Sequence, residues 1–115
     1  MKDKNIAEEI SRLMLDKKAF DIQIINVKGL TSLTDYFINC SSQSDPQTKA
    51  IKNHVENALF KKHHIKPLHI EGYENLKWIL MDYNSIVVNI FNDEQRRYYN
   101  IERLWADAKI KKVEE

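Results

Sequence analysis

The chain has 115 residues, 43% of them hydrophobic and 30% charged, which is the composition of one globular domain without room for a second core. Lys+Arg total 18 and Asp+Glu total 17, so the formal net charge is +1. This near-neutral net charge argues against a protein that binds nucleic acid through its overall charge, because such binding needs a clustered basic surface.

The first predicted elements are a helix and two strands. Residues 21–27 (D-I-Q-I-I-N-V) are rich in β-branched side chains and predict a strand. Gly29 and a polar T-S-L-T-D run end it, and Tyr36–Cys40 predicts a second strand. The helix precedes both, because apolar residues recur at i, i+4, i+7 and i+8: Ile6, Ile10, Leu13 and Met14.

A second helix is predicted to begin at Ser44-Asp45-Pro46. The serine hydroxyl can accept a free backbone N–H, and proline is tolerated in a first helical turn. Its buried stripe is predicted from four apolar residues: Ile51, Val55, Ala58 and Leu59. Pro67–Ile70 predicts a short strand that starts with its proline.

The next segment predicts a hairpin and a final helix. Residues 77–83 and 86–91 form two strands across Asn84–Ser85, and I-V-V-N-I-F is typical of a strand buried on both faces. The tail from Asp93 to about Lys111 is predicted to be helical with a break near Asn100, because three apolar residues recur at helical spacing: Ile101, Leu104 and Ala108.

These elements predict an α/β fold. Strands on either side of a crossover helix imply at least one parallel pair, and the later hairpin is antiparallel. We therefore expect a mixed five-stranded sheet flanked by helices.

One predicted strand has an unusual face. Alternation places Trp78, Leu80 and Asp82 on one side, and the opposite side carries Ile79, Met81 and Tyr83. A large aromatic beside a carboxylate suits a protein-docking surface, where the aromatic anchors and the charge orients. The alternative is that Trp78 belongs to the core and Asp82 closes the turn at Asn84.

Candidate metal and catalytic residues are scattered. The histidines match no helical metal-binding spacing, so we expect surface or helix-end residues and no metal: His54, His63, His64 and His69. Asp35, which suits a turn or cap, and the other carboxylates Glu71, Asp82 and Glu102 form no D-x-D pair, and there is no glycine-rich phosphate loop. We predict no catalytic residue and no cofactor.

A lone Cys40 excludes an internal disulfide and predicts a small buried side chain.

Aromatic and arginine residues also cluster near the C-terminus. The cluster could suggest RNA stacking, but helical spacing favours Trp105 packing the tail onto the sheet or a partner. Its members are Tyr98, Tyr99 and Trp105 with Arg96, Arg97 and Arg103.

Five segments of the chain are distinctive in combination: T-D-Y-F-I-N-C-S-S-Q-S-D, E-G, W-I-L-M-D-Y, V-V-N-I-F and R-R-Y-Y-N-I-E-R-L-W. In this order and at this spacing they resemble the ribosome silencing factor family, the Iojap-like proteins, over about residues 5–110. One departure is Asn89, where family members usually carry histidine.

The resemblance implies a fold similar to nucleotidyltransferases without their catalytic carboxylates. It also implies binding to the large ribosomal subunit through large-subunit ribosomal protein fourteen at the intersubunit face. Bulk at that position obstructs small-subunit joining and lowers translation when nutrients are short. Some family members are homodimers when free.

The expected site residues follow from the pattern of side chains along the predicted elements and from the family resemblance. We place the partner contact on Trp78, Leu80 and Asp82, with Glu71 and Tyr73 at the rim. We assign a second set to the fold or to self-association: Tyr99, Glu102, Leu104 and Trp105.

The alternatives to translational silencing are a role in large-subunit assembly and an enzyme of nucleotidyl-transfer type. No apolar run approaches a membrane span, and the start M-K-D-K-N-I-A-E-E-I is too acidic for a secretory signal and shows no transit peptide. We expect a cytoplasmic protein that contacts neither membranes nor specific nucleic-acid sequences.

Overall fold

The computed structural model describes residues 3–99, 103 and 105–114, and for Tyr98 and Tyr99 it describes the backbone alone. Within these residues the α-helices and strands follow in the order α1 (Asp3–Asp16), β1 (Phe20–Asn26), β2 (Tyr36–Ser42), α2 (Asp45–His63), β3 (His69–Glu71), β4 (Trp78–Asp82), β5 (Ile86–Asn92), α3 (Asp93–Tyr99) and β6 (Lys109–Val113). No helix among them is both long and apolar enough to cross a membrane.

The strands form one mixed sheet in the order β3-β4-β5-β2-β1-β6. β2 and β5 are parallel, and every other neighbouring pair is antiparallel. A parallel pair needs a long connection, and α2 lies in the segment that joins β2 to β5. The predicted α/β class, the parallel pair and the hairpin are therefore confirmed.

The predicted strand number was wrong, because the described sheet has six strands. The tail helix was expected to reach about Lys111, but α3 ends at Tyr99 and Lys109–Val113 forms β6. β6 pairs antiparallel with β1, and Asn26 stands opposite Lys109. The K-I-K-K-V segment gains its backbone hydrogen bonds from the free edge of β1, and lysines suit an outer strand because they discourage further pairing.

The two long helices follow their predicted patterns, except that Ala58 in the predicted stripe of α2 is only partly buried. In α1 the predicted stripe is buried: Ile6, Ile10, Leu13 and Met14. At the start of α2 the Ser44 backbone is extended and its hydroxyl oxygen accepts the Gln47 backbone N–H at 3.2 Å, with Pro46 in the first turn. This arrangement satisfies one of the free donors of a helix start, as the sequence predicted.

The sheet has two different faces. α1 and α2 pack on the first, where alternate residues such as Ile38, Val88 and Ile90 are fully buried. Cys40 lies in this core, which confirms the predicted buried side chain, and burial raises the pKa of its thiol to about 12. α3 packs on β5 and β2 from the second face, to which the other alternate residues of each strand point.

Candidate docking site

The edge of the second face near β3 carries the predicted partner-binding residues. On β4 Ile79 and Met81 are fully buried, whereas Trp78, Leu80 and Asp82 are partly exposed. The predicted alternation is therefore confirmed. We call these three residues of β4 the docking face.

Trp78 contacts Asn89 and Phe91 on the neighbouring strand β5. Its indole Nε1–H donates to Oδ1 of Asn89 at 3.0 Å, and its ring centroid lies 5.1 Å from that of Phe91. The side chain is thus neither fully buried core nor freely rotating surface. A partly exposed aromatic held in one orientation suits an anchor, because little side-chain freedom is lost when a partner binds.

Asp82 makes the turn contact that the alternative interpretation expected. Its Oδ1 accepts the backbone N–H of Asn84 at 2.7 Å, and Asn84 has a positive φ of 76°. The other carboxylate oxygen lies 3.7 Å from Nδ1 of His69, and the side chain is 27% exposed. One oxygen therefore closes the turn while the carboxylate stays accessible, so its docking role stays a prediction.

The two rim residues lie in different surroundings. Glu71 stands opposite Leu80 in the β3–β4 register, and its Oε2 lies 2.9 Å from Nε2 of His69. The structure thus brings Glu71 and Asp82 to the two nitrogens of one imidazole. Tyr73 is 42% exposed, and its ring lies against α2, with the Lys52 ammonium 4.7 Å from the ring centre.

Sequence reasoning missed three residues around this site. His69 joins the two carboxylates, and Asn89 lies next to Leu80 and holds the indole of Trp78. Gly72 has a φ of +82°, and a Cβ there would lie 1.9 Å from the carbonyl oxygen of Trp78. The signals were present as a polar residue within V-V-N-I-F and as a glycine before the hairpin, but neither reveals which strand it meets.

The histidines are dispersed. His54 pairs with Asp16, and His63 pairs with Glu9, each at about hydrogen-bond distance, while His64 follows α2 in the left-handed conformation. Across the described residues no group of three or more His, Cys, Asp or Glu side chains could hold a metal ion.

The arginines of α3 have internal partners. Arg96 is buried and donates to the Asp21 carbonyl and to the Ser41 hydroxyl, which ties α3 to the second face. Arg97 pairs with Asp93 one turn earlier, and this carboxylate raises the pKa of the guanidinium. The contacts of Arg96 favour a structural role over the RNA-stacking alternative, whereas the Arg97 side chain is largely exposed.

The predicted self-association residues are only partly described. Glu102 and Leu104 lie outside the described residues, and so does the side chain of Tyr99. Trp105 is partly buried, and its ring centroid lies 5.3 Å from that of Phe37 on β2. The indole thus packs on the second face of the sheet, which is compatible with either predicted role.

We expect Trp105→Ala to lower the melting temperature or to dissociate a dimer. The change removes the ring contact with Phe37, and truncation of a fully buried tryptophan costs about 3–5 kcal/mol. Trp105 is only partly buried, so we expect about 2 kcal/mol and a fall of roughly 10 °C. Thermal unfolding and analytical ultracentrifugation would measure both effects. Trp105→Phe, which keeps an aromatic ring, is the control, and an unchanged melting temperature with an unchanged oligomeric state would contradict the prediction.

Comparison with known proteins agrees with the resemblance. The family described as "Ribosomal silencing factor during starvation" matches residues 1–115. A protein of Halalkalibacterium halodurans named "Ribosomal silencing factor RsfS" is 35% identical over 99 residues, which cover 86% of this chain and 84% of that protein. The Bacillus subtilis protein of the same name is 33% identical over 110 residues, covering 96% and 92%.

The fold is also similar to solved structures. The crystal structure of a Chromobacterium violaceum protein superimposes with a TM-score of 0.86 at 32% identity, and covers 91% of this chain and 87% of its own. The family match spans all 115 residues, and the two relatives cover most of the chain. The chain therefore belongs to the family of ribosomal silencing factors during starvation.

Proposed function

We propose that this protein binds the large ribosomal subunit and represses translation. In this proposal the docking face contacts a ribosomal protein at the intersubunit face, large-subunit ribosomal protein fourteen, and the bulk of the domain blocks small-subunit joining. The names of the relatives support a ribosome-associated regulator. The partner and the steric mechanism are our proposal, and the cytoplasmic ribosome is its expected target.

The observation that supports this function most directly is the composition of the docking face. Trp78 offers a held aromatic ring, Leu80 an aliphatic contact and Asp82 a carboxylate, and all three are partly exposed on one strand. Aromatic anchors with an adjacent charge are typical of protein interfaces. Glu71 adds a second carboxylate next to His69, so the site fits a basic protein surface.

We predict that the protein co-sediments with free large subunits and is depleted from joined ribosomes. A protein that occupies the intersubunit face cannot remain where the small subunit binds. Sucrose-gradient sedimentation of a cell lysate, followed by detection of this protein in each fraction, measures the distribution. Equal association with isolated small subunits would contradict the proposal.

The same gradients distinguish silencing from a role in assembly. A silencing factor added to mature large subunits lowers the yield of joined ribosomes in proportion to its occupancy. An assembly factor instead leaves joining of mature subunits unchanged, and its removal causes precursor particles to accumulate.

We predict no nucleotide turnover. The carboxylates Glu71 and Asp82 lie at opposite nitrogens of His69, and Asp82 also accepts the turn N–H of Asn84, so both have structural partners. Incubation with each nucleoside triphosphate and Mg²⁺ or Mn²⁺, followed by product analysis, measures turnover. Metal-dependent turnover that disappears in Asp35→Asn or Asp82→Asn would show that the fold retains an active site.

A further inference from the structure

Two buried asparagines lie side by side next to the docking face. Asn39 on β2 and Asn89 on β5 are in direct parallel register and are 0% and 3% exposed. Burial of an amide is unfavourable unless it is hydrogen-bonded, and apolar side chains would fill a sheet interior without that requirement. A buried pair of amides at this position therefore calls for a specific role.

The pair forms a chain of hydrogen bonds that ends on the docking face. The indole Nε1–H of Trp78 donates to Oδ1 of Asn89 at 3.0 Å, and Nδ2 of Asn89 donates to Oδ1 of Asn39 at 3.0 Å. An indole N–H can only donate, so Asn89 must present its oxygen to β4. Its NH2 group then faces β2, where it donates a hydrogen bond to Oδ1 of Asn39.

We propose that Asn39 and Asn89 position Trp78 for partner binding. In this inference, which rests on the proposed function, Trp78 touches the partner and Asn89 acts through Trp78 as a positioning residue. Asn39 fixes the amide orientation of Asn89. The two asparagines thus determine how the anchor of the docking face is presented, although both are buried.

The physical reason lies in the difference between stacking and hydrogen bonding. The ring of Trp78 lies 5.1 Å from that of Phe91 at an interplanar angle of 34°, a contact that permits sliding and tilting. The bond from Nε1 to Asn89 is directional, so it selects one ring orientation. An anchor that is already oriented loses less freedom on binding, which increases affinity.

The first test measures the indole itself by nuclear magnetic resonance. The two indole N–H signals are assigned by the one that disappears in Trp78→Phe. Asn89→Leu keeps the approximate volume but removes both hydrogen bonds, and we expect it to shift the Trp78 signal and to accelerate its hydrogen exchange at least tenfold. Asn89→His at pH 8 carries a neutral imidazole with one acceptor and one donor, so it can accept from Trp78 and donate to Asn39. We expect it to restore slow exchange.

A control separates positioning from general destabilisation. Thr48 is fully buried on α2, which packs on the face of the sheet opposite to Trp78, and it bonds to the Ser42 hydroxyl and the Ser44 carbonyl. Thr48→Val removes buried hydrogen bonds without touching the docking face. We expect Asn89→Leu to weaken binding to purified large subunits about tenfold, and Thr48→Val to change it less than twofold.

A double-mutant cycle gives a second, independent measurement. Trp78→Phe keeps a ring beside Phe91 but removes the donor to Asn89. If Asn89 acts through Trp78, the double variant Trp78→Phe/Asn89→Leu loses no more affinity than the weaker-binding single variant. A loss equal to the product of the two single losses would overturn the inference, and so would an unchanged indole signal in Asn89→Leu.

The outcomes also separate this inference from the proposed function. Wild-type protein that fails to bind large subunits would overturn the proposed function and the docking role of Trp78 with it. Normal binding by both the wild type and Asn89→Leu would overturn the inference alone.

Discussion

Asp82→Lys should abolish binding to large subunits while the domain remains folded. The change reverses the charge of a partly exposed carboxylate that we expect to meet a basic side chain. Trp78→Ala removes the proposed anchor and should weaken binding as strongly. Truncation of an interface anchor costs about 2 kcal/mol or more, which corresponds to a loss of roughly thirtyfold in affinity. Sedimentation binding assays and circular dichroism measure affinity and folding.

Asp82→Asn distinguishes the two roles of this side chain. Asparagine keeps an oxygen that can accept the Asn84 N–H, so the turn is retained and only the charge is lost. We expect Asp82→Asn to fold normally and to bind weakly. Asp107→Lys makes the same charge change as Asp82→Lys at an exposed position after Trp105, so it is the control for that variant and should bind normally.

The competing interpretation makes the opposite prediction. If Asp82→Lys binds normally and Trp78→Ala unfolds the domain, then Trp78 is core, Asp82 serves only the turn, and the ribosomal contact lies elsewhere.

Gly72→Ala should strongly destabilise the region around the docking face. Gly72 has a φ of +82°, and an added Cβ would lie 1.9 Å from the Trp78 carbonyl oxygen, which is backbone and cannot rotate away. The left-handed conformation costs alanine about 1–2 kcal/mol. Relief of the collision adds about 1–3 kcal/mol or more, because the backbone after β3 must move away from the start of β4. Chemical denaturation measures the free energy of unfolding.

Gly29→Ala is a matched control for this change. Gly29 has a nearly identical φ of +80°, but nothing lies within 4 Å of an added Cβ. The difference between the two variants therefore isolates the collision with Trp78 from the conformational cost. We expect Gly72→Ala to lose large-subunit binding and Gly29→Ala to retain it. Equal losses of stability in the two variants would show that the close approach at Gly72 has no consequence.

The polar contacts of the site could not be predicted from the sequence. Asn89 is visible as one amide within V-V-N-I-F, but its partners Trp78 and Asn39 lie 11 and 50 residues away along the chain. His69 reaches Glu71 locally, yet its contact with Asp82 exists only because β3 pairs with β4. Contacts of this kind depend on strand register, which a single sequence does not state.

The sequence by itself determined the features that depend on short-range periodicity and local chemistry. The stripe of α1, the Ser44 cap of α2 and the alternation along β4 each follow from the spacing of apolar residues or from one local hydrogen bond. The strands β1 to β5 therefore lie within two residues of their predicted bounds.

Only the tertiary structure decided the C-terminal strand and the network behind the docking face. Lys109–Val113 has no strong local preference for a strand and becomes one because β1 offers an unpaired edge. Arg96 likewise reaches back to Asp21 and Ser41, and Asn89 joins Trp78 to Asn39, across separations that no local pattern encodes. Backbone pairing and buried polar bonds are satisfied by whichever groups the fold brings together, so their partners become known only once the strands are placed.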